Sequence, residues 1–171
     1  SIKTMSFFKK HLNINVNLHG IDNLEKVVHG KINVLNVWRE NVEINLGEES
    51  KIIGEYAIKS LMQATQALKK EQIDVLLTAP INKHNIQSDK FKFPGHTDYL
   101  NQELSGNSLM FMVAGNLRVG LLTDHVPVKD ISANISKELI ISKIETIHDS
   151  LVKDFGIRKP KIAVLGINPH T

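Results

Sequence analysis

Apolar positions change their period several times along the chain. KINVLNV at 31–37 alternates apolar and polar residues, the period-two signature of a strand, and VEINL at 42–46 is a second, shorter candidate. From Glu49 the spacing lengthens. Ile52/Ile53, Tyr56/Ala57, Leu61, Ala64 and Ala67/Leu68 recur every three or four residues, which predicts an amphipathic helix to about Lys70. Ile73 to Leu77 is short, mostly apolar and unbroken by alternation, as expected of a strand covered on both faces and ended by Pro80. INKHNIQ after it has a helical look.

LMFMVA at 109–114 and LRVGLLT at 117–123 read as two strands joined by a tight turn at Gly115-Asn116. A long helix follows. Ser136 suits its N-cap, Glu138 its first turn, and Gly156 the position beyond its last turn, with Ile140, Ile144, Ile147, Leu151 and Phe155 as the apolar stripe. KIAVLGI is the last candidate strand. The polar, asparagine-rich residues 1–24, with Phe7-Phe8, suit a short helix leading into a loop. Long helices alternating with buried strands predict an α/β fold with a mixed, largely parallel sheet.

The 171 residues suffice for one domain with a core of its own, and 42% hydrophobic with 23% charged is ordinary for a globular protein. Absence of cysteine removes disulfides and thiolate metal sites, as expected of a cytoplasmic protein. The net charge of +3 is spread over interleaved lysines and acids, so no basic run points to nucleic acid. No apolar run approaches a membrane span, and the N-terminus lacks the apolar core of a signal peptide.

In parallel sheets, ligands collect where strands give way to loops at their carboxyl ends. Four such places stand out: TAPINK after IDVLL, the loop FPGHTDYL, TDHVPV after LRVGLL, and NPH after KIAVLG. Three of them hold a histidine, His96, His125 and His170; those at 11, 19, 29, 84 and 148 lie elsewhere. His125 admits two readings: a neutral imidazole ligating a divalent metal, or a hydrogen-bonded histidine finishing a strand. His170, with its backbone restricted by Pro169, admits the same two. There is no HxH, HExxH or CxxC motif, so spacing alone does not choose. Thr97 is a candidate N-cap for DYLNQEL. His96 and Thr97 at a helix start either hold a phosphate or carboxylate, or simply cap the helix; Lys83 either meets that anion or is solvated.

TAPINKHNI, FPGHTDYL, LRVGLLTDHVPV and FGIRKPKIAVLGINPH, in this order and spacing, resemble the 4-hydroxythreonine-4-phosphate dehydrogenase family of pyridoxal phosphate biosynthesis. The resemblance runs from about residue 31 to 171, leaving residues 1–30 as a poorly assigned segment before a partial catalytic domain, 31–171. It implies an isocitrate/isopropylmalate-dehydrogenase-like fold, a homodimer, and an oxidoreductase using NAD and a divalent metal (Zn, Mg, Co, Mn or Ni). The small phosphorylated substrate is oxidised at its secondary alcohol and loses carbon dioxide, leaving 3-amino-2-oxopropyl phosphate. By the same carry-over, His96 and Thr97 contact substrate, and His125 and His170 are two of three histidine metal ligands, the third coming from the partner subunit. A metal on neutral histidines lowers the pKa of a bound hydroxyl, which suits the chemistry.

Departures from the family pattern matter equally. The family's chain is nearly twice as long. Its His-Asp-Gln-Gly segment, with the third ligand and phosphate contacts, is absent from this sequence, as are most NAD-binding residues and a glycine-rich stretch usual near the family's N-terminus. No residue here is assigned to NAD, and none is assigned as catalytic. The expectation is that these residues are an inactive piece of a longer dehydrogenase. Two alternatives stay open: an enzyme for a related four-carbon sugar-acid phosphate of the threonate or erythronate type, and a non-catalytic structural or dimerisation domain.

Overall fold

A computed structural model of the chain describes residues 1–168. It divides into two compact units, Ser1–Ser105 and Gly106–Thr171. Both mix helices with strands, and the fold class is α/β.

In the first unit, helix α1 (Ile2–His11) precedes strand β1 (Leu18–Ile21), which pairs in parallel with β2 (Ile32–Leu35); Leu18 stands opposite Ile32 and Ile21 opposite Leu35. The Ile2 amide donates to Asn36 Oδ1 at 2.8 Å, tying the start of α1 to the exit of β2. β1 has no counterpart among the expected elements, because LHGI is too short and too polar to show a period.

Helix α2 (Lys51–Lys69) follows, its N-terminus capped by Ser50 Oγ, which accepts from the Ile53 amide. Its buried face is Gly54, Ile58, Leu61 and Thr65, together with Ala67. That face is turned from the one the sequence pattern suggested, and Ile52 is left 64% exposed. Ile58 and Leu61 pack with Ile86, Phe91 and Tyr99, and Leu76, Ile81, Phe93 and Leu100 close around them. Tyr99 belongs to helix α3 (His96–Glu103). Each such side chain taken from water contributes about 1.5–3 kcal/mol.

The second unit is an antiparallel hairpin, β3 (Phe111–Ala114) and β4 (Leu117–Gly120), beside helix α4 (Lys137–Lys153). Gly115 has φ +54°, and Asn116 is not among the positive-φ residues, the signature of a type II′ turn. Phe111 and Gly120 are cross-strand partners and share a face. A Cβ on Gly120 would come within 2.7 Å of Ile147 Cδ1 of α4, and Phe111 meets Phe155 edge-on at 5.7 Å. Arg118 lies 4.5 Å above the Phe155 ring. Ser136 Oγ accepts from the Leu139 amide at 3.1 Å, the cap that the sequence predicts. Gly156, at φ +67°, lets the Ile157 amide return to the Leu151 carbonyl at 2.9 Å.

Three expected strands do not form among the described residues. VEINL has no ladder partner. IDVLL takes part in no ladder, with Val75 78% and Leu77 94% exposed. KIAVLGI is likewise unpaired, with Leu165 87% exposed. A strand needs a neighbour to satisfy its backbone, and an apolar run alone does not supply one. The expected helical stretch INKHNIQ is a set of turns, shaped by side-chain bonds described below. The paired strands form one parallel and one antiparallel pair in place of a single mixed sheet. Among the described residues no helix is long and apolar enough to cross a membrane.

Gly54 makes the closest approach in the first unit: a Cβ there would run into the carbonyl of Asn85. Gly54→Ala should therefore force α2 and the 82–86 turn apart and cost about 1–3 kcal/mol, the usual range for overpacking. Denaturant unfolding of the two proteins measures this; an unchanged midpoint would contradict the contact.

Candidate functional site

TAPINK and FPGHTDYL, separate in sequence, are brought together on α2. Asn82 organises the first. Its Oδ1 accepts from the amides of His84 (2.9 Å) and Asn85 (3.2 Å), and its Nδ2 donates to Glu49 Oε1 at 2.9 Å. These bonds close the 82–85 turn and bind it to the residue before the Ser50 cap. Ile86 is then buried at 2% exposure.

The second motif is held by aromatic packing. Phe91, Phe93 and Tyr99 lie 5.2–5.4 Å apart between ring centroids, in tilted and edge-on arrangements. Ser88 and Phe91 close a tight loop by reciprocal backbone bonds of 3.1 and 3.2 Å. Gln87 Nε2 donates to the Phe93 carbonyl at 2.9 Å. Thr65, fully buried in α2, donates to the Leu61 carbonyl at 2.9 Å. Lys69 and Glu103 pair at 2.9 Å, joining α2 to α3.

His96 is the first residue of α3 and is half-buried; Thr97 follows it and is exposed. The N-cap is Gly95, in extended backbone, rather than Thr97, and no side chain caps this helix. Glycine serves as an N-cap because it takes the required backbone freely, so the cap falls two residues before Thr97. Asp98 sits in the first turn, where its charge suits the helix dipole. Lys83 Cε lies 3.9 Å from where a Gly95 Cβ would be, so the TAPINK lysine stands next to the start of α3.

His125 lies in the second unit, five residues beyond β4, and is exposed. Its φ of +53° places it in the left-handed region, uncommon for a residue with a Cβ, though histidine enters it more readily than most. No hydrogen bond or ion pair engages it among the described residues, so both ring nitrogens are open. That donor chemistry fits a divalent ion. His170 lies outside the described residues. Among the described residues no three histidine or acidic side chains converge on one point.

The sequence reading missed Gly54, Asn82 and the Lys83–Gly95 proximity. For Asn82 a signal existed: asparagine two and three residues before amides needing acceptors is an Asx-turn pattern. For the other two none did, because the partners are 31 and 12 residues away.

Comparison with known proteins decides the family. The family model described as pyridoxal phosphate biosynthetic protein PdxA matches residues 2–171.

The chain belongs to the PdxA family.

The match takes in residues before 31 as well as the four motifs. A 4-hydroxythreonine-4-phosphate dehydrogenase of Bacteroides thetaiotaomicron is 38% identical over 99% of this chain and 47% of its own length. One from a Sulfurihydrogenibium species is 37% identical, again over 99% of this chain and 52% of its own. A crystal structure of a 4-hydroxythreonine-4-phosphate dehydrogenase from Burkholderia phymatum superposes with a TM-score of 0.83 at 28% identity, covering 98% of this chain and 52% of that one. The chain spans about half the length of these relatives. The PdxA-type α/β fold is shared, as a partial fold.

Burial pushes the Tyr99 phenol above its ordinary value near 10. Ionisation is thus resisted in the folded state, and the stabilising contribution of Tyr99 is complete below the unfolded value and lost as pH rises through the folded one. Stability should fall on the alkaline side of pH 10, and Tyr99→Phe should flatten that fall. Urea midpoints measured across this range check it; parallel curves would place the phenol in water. Phe91→Ala, which removes the ring touching both partners, should cost about 3–5 kcal/mol in the same measurement.

Proposed function

We propose that this chain carries the substrate-contacting and part of the metal-binding motifs of a 4-hydroxythreonine-4-phosphate dehydrogenase. The reaction is the NAD-dependent oxidation of 4-phosphohydroxy-L-threonine, followed by loss of carbon dioxide to give 3-amino-2-oxopropyl phosphate, in vitamin B6 synthesis. Family membership across residues 2–171 carries this reading. The relatives that it matches, 4-hydroxythreonine-4-phosphate dehydrogenases, support the activity.

In this reading, residues 31–171 are a partial catalytic domain. His96 and Thr97 bind the substrate at the start of α3, where free backbone amides favour its anionic groups. His125 and His170 hold a divalent metal through neutral imidazoles. Such an ion, when bound, lowers the pKa of the substrate hydroxyl. His125 is exposed, with its backbone in the left-handed region. No residue in this sequence is assigned to NAD. The enzyme is a cytoplasmic homodimer.

Residues 1–171 alone do not turn over substrate. The exposed apolar segments around Leu77 and Leu165 support this, since they need further chain to cover them.

The test is NAD reduction with 4-phosphohydroxythreonine and a divalent metal, run on the natural full-length protein beside 4-phosphoerythronate. Faster turnover of the threonine derivative is expected, with none from the 171-residue chain by itself. Preference for the sugar acid would overturn the substrate assignment, and robust turnover by the 171 residues would overturn the claim of incompleteness. His125→Ala should abolish the metal-dependent rate; full activity in that variant would remove it from the ligand set.

A further inference from the structure

The hydrogen bonds of the 82–85 turn fix its backbone and leave the Lys83 ammonium unused. Asn82 is engaged at both ends of its amide, Asn85 is pressed by its carbonyl against Gly54, and Ile86 is buried. Lys83 takes part in no hydrogen bond or ion pair among the described residues, yet its stem passes within 3.9 Å of the Cβ position of Gly95. A lysine with a fixed backbone and an uncompensated ammonium therefore stands beside the pair His96 and Thr97.

A lysine in water is ordinarily free to wander through its rotamers. Two constraints fix the backbone from which this one starts. Asn82 binds the turn to Glu49, at the entry to α2, and Gly54 holds it from within α2. Gly95 leaves the space on the α3 side open, where a larger residue would project toward the lysine stem. Lys83 Cε thus lies close to the residue that caps α3.

We propose that Lys83 is a further substrate-binding residue of this site, its ammonium meeting an anionic group of the ligand held at His96 and Thr97, and that Asn82 is the positioning residue that aims it. The proposal rests on the assignment of His96 and Thr97 to the substrate and adds the cation that assignment lacks. A charge-assisted bond of this kind, made equally in ground and transition states, lowers KM more than it raises kcat.

The experiment is steady-state kinetics of the full-length protein on 4-phosphohydroxythreonine with three variants. Lys83→Gln should raise KM about tenfold to a hundredfold, with kcat changed far less. Lys83→Arg should recover most of that loss, and raised salt should narrow the gap between Lys83→Gln and the parent. Asn82→Ala should shift KM the same way and less, and in combination with Lys83→Gln should add little. Because Lys83 is exposed, its variants should unfold at the parent's midpoint. An active parent with unchanged KM in Lys83→Gln would overturn the role of Lys83 and leave the dehydrogenase reading intact. A parent inactive on this substrate would overturn that reading and this proposal with it. A loss confined to kcat, or one that arginine fails to rescue, would overturn the claim of an anion contact.

Discussion

The packing of α2 against Phe91 and Tyr99 is the interaction on which the first unit depends. TAPINK has no regular structure, and FPGHTDYL is a short turn running into the two-turn helix α3, too little to hold itself. Ile86, just beyond the first, and Phe91, Phe93 and Tyr99, just before and within the second, enter the same cluster on Ile58 and Leu61. Burying them brings two loops to one place on the helix. The polar bonds then set orientation: Asn82 to Glu49 for the first segment and Lys69 to Glu103 for the second. The Lys69–Glu103 pair is partly exposed and worth at most about 1 kcal/mol, so the rings carry the stability and the polar groups the register.

Small residues make this approach possible. Gly54 admits the Asn85 carbonyl to the surface of α2, and Gly120 admits Ile147 to the hairpin. In both, a side chain would occupy the space that a neighbouring element fills. The second unit repeats the logic on a smaller scale. One face of its hairpin receives α4 through Phe111 and Gly120, while Met112 and Leu117 on the other face are 59% and 63% exposed.

Where local pattern suffices, the sequence was legible. α2, α4 with its Ser136 cap and Gly156 exit, the hairpin and β2 follow from periodicity and end signals that act within a few residues. The strands expected at 42–46, 73–77 and 161–167 do not follow, because pairing depends on a partner that composition does not name. The candidate site residues rest on type and motif, and the resemblance to a dehydrogenase family is borne out by the match across residues 2–171. Their support was not legible. That Lys83 lies beside Gly95, and that Gly54 gives way to Asn85, are facts of tertiary packing between residues far apart in the chain.

Native-state hydrogen exchange tests most directly whether one packed unit carries both loops. Amides of α2, Ile86, Phe91 and Tyr99 should open together, with one free energy, as a single cooperative element does. Fast exchange at Phe91 and Tyr99 while α2 stays protected would show that the loops do not depend on the helix, and the account would fail.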